Sequence, residues 1–297
     1  MTHFIRVTDT PEESNISDVA NPPLHIGVVG LGHMGSAFAR NLVNSGYQTT
    51  VYDRNKTKGQ ACTGAQPTTA LADLSQCDIV ISSLPNDEVL SALTEGRDGL
   101  IEAMKKGAVH VSTSTVSPEI SRRLARLHQQ CGQGYIASPV LGNPDLAKAR
   151  KVFFMIGGIA DHIRKALPVI KTLGQHVFFM GDNPGHANLM KLAANIMIAT
   201  TLESMGETLA LLRKGGISAE VGFDVLTNSL FDSKVHKTYG SKILHEQYRP
   251  AGMVVPLALK DMRLALAEAE QNATPMPFAS LVRDRMVAML ARGWKDL

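Results

Sequence analysis

From His25 onward the chain alternates short, unbroken apolar runs with amphipathic stretches. HIGVVG is followed by a glycine-rich turn, the helical stretch AFARNLVNSG and a second strand-like run, QTTVYD. Further strand-like runs lie at 78–85 (DIVISSLP), 108–113 (AVHVST), 134–140 (GYIASPV), 151–158 (KVFFMIGG) and 175–181 (QHVFFMG). Between them NDEVLSALTE, SPEISRRLARLHQQ and HIRKALPVIKTLG carry helical periodicity. Apolar strands with no polar alternation belong to a parallel sheet covered on both faces. With right-handed crossovers the product is a doubly wound α/β domain.

After Gly181 the strands stop. Residues 185–216 read as one long helix ended by Gly215-Gly216. SAEVGFDVLTNSL, SKVHKTYGSKILHEQY, PLALKDMRLALAEAEQ and PFASLVRDRMVAMLARG continue in helical periodicity. The expected organisation is a flexible polar arm over 1–23, an α/β domain over 24–184 and an all-helical domain over 185–297. The long helix joins the two domains and runs on towards a subunit interface.

Composition narrows the function classes. Of 297 residues, 44% are hydrophobic and 19% charged, which suits a globular protein. Thirty Lys+Arg against 27 Asp+Glu leave a formal charge of +3, too even for a polyanion partner. No basic run interleaved with aromatics appears, so no nucleic acid is expected. Cys62, Cys77 and Cys131 are odd in number and scattered, which fits a reducing compartment. The N-terminus lacks the apolar core of a signal peptide, and no stretch approaches the roughly 20 apolar residues of a membrane span. The expected location is therefore cytoplasmic, with no membrane partner. The ten histidines show no ligand spacing such as His-Glu-x-x-His, and no metal is expected.

The first strand runs straight into Gly30-Leu31-Gly32-His33-Met34-Gly35, and a second strand ends at Asp53. A strand, a G-x-G-x-x-G turn, a helix and a second strand ending in an acid form the context of the dinucleotide fingerprint. Gly30 permits the tight turn, Gly32 lets a pyrophosphate approach the backbone, and Gly35 lets helix and strand pack closely. Asp53 can accept bonds from a ribose diol, which favours NAD. Arg54, with Lys56 and Lys58 behind it, can clamp a 2′-phosphate, and NADP is the favoured cofactor. On the long helix Lys191, Asn195, Ile198, Leu202, Met205 and Leu209 share one stripe. A lysine there can protonate a carbonyl oxygen as hydride reaches its carbon, although a lone lysine near a helix start is more often solvated.

Several motifs occur together and in order. They are the glycine loop with AFARNL, Leu84-Pro85, Ser114-Thr115-Val116-Ser117-Pro118, Gly185-x-x-Asn188-x-x-Lys191-x-x-x-Asn195, and Lys260-Asp261. From His25 to the C-terminus the chain resembles the β-hydroxyacid dehydrogenases, the group of 3-hydroxyisobutyrate dehydrogenase and the tartronate-, succinic-semialdehyde and glyoxylate reductases. The resemblance implies a Rossmann-type domain followed by a helical domain for substrate and dimerisation, in a dimer or tetramer. It implies reversible NAD(P)-dependent reduction of a small aldehyde or keto acid to a hydroxy acid or alcohol. Lys191 then matches the catalytic lysine and Asn195 its companion. Leu84, Pro85 and Thr115 match positions lining the cofactor, and Lys260 lies near the nicotinamide. Ser114, Gly142, Asn143 and Asp261 are the expected substrate contacts.

One departure bears on the substrate. Where such enzymes commonly read Asp-Ala-Pro-Val-Ser-Gly-Gly, this chain has Ala137-Ser138-Pro139-Val140-Leu141-Gly142-Asn143. Leu141 cannot donate to a substrate carboxylate, and loss of such a donor costs about 1.5–3 kcal/mol. Either the substrate is larger or less acidic than 3-hydroxyisobutyrate, or Asn143 holds the carboxylate instead. Two alternatives stay open beside the dehydrogenase. Imine reductases share the architecture but usually place Asp or Tyr where Lys191 stands, and a non-catalytic dinucleotide sensor would tolerate the altered loop.

Overall fold

The computed structural model describes residues 24–296; the polar arm expected over 1–23 lies outside them. Six strands, β1 (His25–Val29), β2 (Gln48–Tyr52), β3 (Gln66–Thr68), β4 (Ile79–Ser82), β5 (Val109–Ser112) and β6 (Gly134–Ala137), form one parallel sheet in the order β3-β2-β1-β4-β5-β6. Helices α1 (His33–Asn44), α2 (Lys56–Gln60), α3 (Asp87–Glu95), α4 (Leu100–Ala103) and α5 (Pro118–Gln130) lie in the connections. The strand order reverses between β1 and β4. A reversal of that kind opens a crevice at the strands' carboxyl ends, where doubly wound sheets bind their ligands.

The apolar strands follow from cover on both faces. Ile79 and Ile81 of β4 pack with Phe38 and Leu42 of α1, whereas Val80 between them packs with Leu74, Leu100 and Met104. Each such side chain, fully buried, contributes roughly 1.5–3 kcal/mol.

A second sheet follows, built from β7 (Val140–Leu141), β8 (Phe153–Ile156) and β9 (His176–Phe179), with α6 (Pro144–Lys148) and α7 (Ala160–Lys171) between them. Here the wholly parallel expectation fails, because β7 runs antiparallel to β8 while β9 runs parallel to it. The single strand expected over 134–140 breaks at Ser138-Pro139, where proline has no N–H to continue a ladder. Paired bonds between Ala137 and Gly157, 3.0 and 2.9 Å long, tie the two sheets together.

The chain divides into two compact units within α8 (Pro184–Lys214), after Lys191. In the second unit Leu192 and Ile196 of α8 pack with Met262 and Ala265 of α11 (Val255–Gln271) and with Ala279 and Val282 of α12 (Pro277–Ala291). The helices α9 (Ala219–Thr227) and α10 (Lys234–Leu244) complete it. Among the described residues no helix is long and apolar enough to cross a membrane.

Candidate active site

The turn between β1 and α1 is held by backbone sterics. Gly30 has φ +85°, and a Cβ on it would stand 2.4 Å from the Ser83 carbonyl oxygen. A Cβ on Gly35 would lie 1.9 Å from the Gly30 carbonyl oxygen, so strand and helix touch there. Gly32 differs, since a Cβ on it would meet no protein atom within 4 Å. Gly32 is also the N-cap of α1, with no side-chain cap and no acid in the first helical turn. Free amides and a positive helix end beside an open glycine fit the pyrophosphate of a dinucleotide. Leu31 is buried, Met34 packs against the core, and His33 starts α1 exposed to solvent.

Asp53 turns towards this loop. Its Oδ2 accepts from the Leu31 amide at 2.7 Å and its Oδ1 from the Asn55 amide at 2.8 Å. Lys58 stands 3.7 Å from the same carboxylate. Arg54 and Lys56 are exposed and make no ion pair among the described residues.

The next two loops at this edge of the sheet are fastened to each other. The Leu84 amide donates to Ser114 Oγ at 2.9 Å, and the Ser117 amide donates to Asp87 Oδ1 at 3.0 Å. Leu84 is half-buried, Pro85 exposed, Ser114 buried and Thr115 half-buried. Asn188 of α8 reaches the same place: its Nδ2 lies 3.4 Å from the Ser114 carbonyl oxygen, and its Oδ1 accepts from Ser121 Oγ at 2.7 Å. Lys191, one turn further along α8, is only 9% exposed. Gly142 and Asn143 are exposed after β7, and Asn143 Oδ1 caps α6 by accepting from the Leu146 amide at 2.9 Å. That bond leaves the side-chain NH2 of Asn143 as its remaining donor.

In the helical unit three of the expected residues meet. Asn195 Nδ2 donates to Asp261 Oδ2 at 2.6 Å, with Asn195 and Asp261 both buried. Lys260 Nζ stands 2.8 Å from Asp261 Oδ1, an ion pair by distance without hydrogen-bond alignment.

The structure adds groups that spacing does not reveal. Asn188 stands within the Lys191 motif, yet its buried partner Ser121 lies far off in sequence. A second buried chain runs from Ser82 Oγ to His110 Nε2 (2.8 Å), from His110 Nδ1 to His128 Nε2 (3.0 Å) and from His128 Nδ1 to Gln133 Oε1 (2.8 Å). Gln133 Nε2 donates to the Met104 and Ile101 carbonyls, so its Oε1 must accept. His128 then carries its proton on Nδ1 and His110 on Nδ1, and Ser82 donates into the chain. Burial lowers His128 to about 4, and burial followed by the neighbouring His128 holds His110 well below the usual histidine range. Both rings are neutral at pH 7.

Comparison with known proteins agrees with this architecture. Residues 25–181 match the NAD binding domain of 6-phosphogluconate dehydrogenase, and 185–297 match the NAD-binding domain of NADP-dependent 3-hydroxyisobutyrate dehydrogenase. The uncharacterized oxidoreductase YfjR of Bacillus subtilis (strain 168) is 36% identical over 278 residues, covering 92% of this chain and 96% of its own. The 3-hydroxyisobutyrate dehydrogenase of Pseudomonas aeruginosa is 30% identical over 268 residues, covering 87% of this chain and 90% of its own. The solved 3-hydroxyisobutyrate dehydrogenase of Mycobacterium tuberculosis, with L-serine, superposes with a TM-score of 0.84 at 25% identity, covering 93% of this chain and 96% of its own. On the strength of both family matches and these relatives, the chain belongs to the β-hydroxyacid dehydrogenase family of NAD(P)-dependent oxidoreductases.

Proposed function

We propose that the protein is an NADP-preferring reductase of a small aldehyde or keto acid, reversible towards the hydroxy acid or alcohol, with Lys191 as its general acid and base. The observation that carries this reading is Lys191 itself, nine-tenths buried in the same compact unit as the glycine loop. An amine is costly to bury, which makes a buried lysine a candidate for a functional role. The cofactor, when bound, supplies or accepts the hydride. Lys191 gives its proton to the carbonyl oxygen in reduction and takes it back in oxidation, a transfer worth typically 10²–10⁴-fold in rate. Asn195 is held by Asp261 through its Nδ2, which leaves Oδ1 as an acceptor one helical turn from Lys191. An amide oxygen accepts and cannot donate to a substrate carbonyl oxygen.

The preference for NADP rests on the division of labour at the end of β2. Both oxygens of Asp53 accept backbone amides, whereas the neighbouring Arg54 guanidinium is exposed and outside any ion pair among the described residues. A planar guanidinium there binds a 2′-phosphate through charge-assisted hydrogen bonds.

The substrate is a hydroxy acid or aldehyde of the class the relatives' names suggest, with an altered carboxylate subsite. Leu141 offers no side-chain donor, and Asn143 uses its carbonyl oxygen on α6. 3-Hydroxyisobutyrate and L-serine should therefore turn over poorly beside larger or less acidic compounds. The test is oxidation of NADPH and of NADH against a panel of aldehydes, keto acids and cyclic imines. Turnover of a carbonyl substrate supports the proposal. Turnover of imines alone favours an imine reductase, and tight NADPH binding with no turnover of any panel member favours a sensor.

A further inference from the structure

Asn188 is 1% exposed and sits three residues before Lys191 on the same helix. Ser121 Oγ, itself buried, donates to Asn188 Oδ1 at 2.7 Å, and Tyr135 Oη stands 3.2 Å from the same hydroxyl. Because Ser121 spends its hydrogen on Asn188, the Tyr135 hydroxyl is the donor in that second contact. Burial pushes Tyr135 up to about 12, so its proton is in place at any working pH. The Ser114 carbonyl can only accept, and it is this partner that fixes the amide orientation of Asn188. Oδ1 faces α5, and Nδ2 faces the carbonyl oxygen of Ser114. Ser114 in turn accepts the Leu84 amide through Oγ at 2.9 Å. One side chain thus joins the start of α8 to α5 and to two loops at the carboxyl edge of the sheet.

Nothing about helix packing requires an amide there. Ala187, beside Asn188, packs with Val116, Ile120 and Leu124 and already supplies an apolar anchor for the first turns of α8. A hydrophobic anchor fixes distance but tolerates rotation and sliding. Directional bonds to two partners at different angles do not. From this geometry we infer that Asn188 is the positioning residue for Lys191: its two bonds set the rotation and axial placement of the first turns of α8, 184–191, over the loop 114–117. The inference rests on the proton-transfer reading of Lys191 given above. Misplacement of a reacting group by about 1 Å can cost 10²-fold in rate.

The test compares wild type, Lys191→Ala, Asn188→Ala and Ser121→Ala with NADPH and the best panel substrate. Asn188→Ala should lower kcat ten- to a hundredfold, while substrate KM and NADPH Kd stay within about twofold. The isotope effect from nicotinamide-deuterated NADPH should rise, because the chemical step becomes limiting. Independently of turnover, amide hydrogen exchange should quicken in 184–195 and stay unchanged in α11 and α12. Ser121→Ala, which touches only the Asn188 bond and the Tyr135 hydroxyl, should show the same pattern more weakly and serves if Asn188→Ala does not fold. Wild-type kcat in a folded Asn188→Ala protein, or a fall in kcat matched by equal weakening of NADPH binding, overturns the positioning role. Wild-type turnover in Lys191→Ala overturns the general-acid reading instead, so the two failures are separable.

Discussion

Acidification should destabilise the α/β unit well before its carboxylates titrate, through the buried His110–His128 pair. In the unfolded chain a histidine protonates near pH 6.5. In the folded chain His128 is lowered to about 4, and His110 lies well below the ordinary value. Between these limits the unfolded state binds more protons, so stability is full above about pH 6.5 and is lost progressively as pH falls towards 4. The slope is about 1.4 kcal/mol per pH unit for each histidine. His128 alone should therefore cost about 2 kcal/mol between pH 7.5 and pH 5, and His110 adds a loss of the same sign. His25 and His162 are also lowered by partial burial and act in the same direction, more weakly because they are more exposed. Urea unfolding followed by circular dichroism at half-unit steps from pH 7.5 to 5 reads the total. His128→Gln, measured alongside, isolates the pair. Wild type should lose stability steeply over this range and His128→Gln should lose clearly less. A flat wild-type profile, or identical slopes in the two proteins, would refute the neutral, buried pair.

Other substitutions probe the cofactor end and the assembly. Arg54→Ala should raise the KM for NADPH by ten- to a hundredfold, the loss of a charge-assisted contact of about 1.5–3 kcal/mol, and leave NADH kinetics nearly unchanged; steady-state kinetics with both cofactors decides it. Gly32→Val should keep the wild-type melting temperature and abolish NADPH binding, since a side chain there meets no protein atom. Gly30→Val should instead lower the melting temperature, because its φ is +85° and a Cβ would collide with Ser83. Met197 and Leu211 of α8 are 70% and 72% exposed and Phe278 of α12 is 73% exposed. Light scattering should accordingly find a dimer or larger oligomer at micromolar concentration, and replacing Leu211 and Phe278 by Asp should yield the monomer.

The parts of the fold legible in the sequence are those whose residues answer to local rules. Strands such as β4 show as continuous apolar runs because both faces are buried, and the glycine loop shows because backbone geometry demands glycine at fixed intervals. β3 was not legible: Gln66, Pro67 and Thr68 form a short, polar edge strand paired on one side, which no apolar pattern marks. The break at Pro139 and the antiparallel β7 depend on pairing with β8, a partner distant in sequence. Among the candidate residues, the motif marks Lys191 and Asn195 by spacing alone, but the bonds their neighbours make are set in three dimensions. Asp53 at a strand end reads in the sequence as a ribose ligand, and its bonds to the Leu31 and Asn55 amides depend on a loop geometry that the sequence does not mark. Asn143 looked like a substitute for a lost substrate donor, and its carbonyl oxygen proves to cap α6. His110 and His128 carry no signal at all in the sequence, since a buried histidine is recognisable only by the partners that keep it neutral.

The central claim, hydride transfer completed by a proton from Lys191, is tested most directly in a single turnover. Enzyme preloaded with NADPH is mixed with saturating aldehyde or keto acid, and loss of nicotinamide absorbance is followed in wild type and Lys191→Ala. Lys191→Ala should bind NADPH as tightly as wild type and oxidise it at least about 10²-fold more slowly. Equal single-turnover rates in the two proteins would contradict the account.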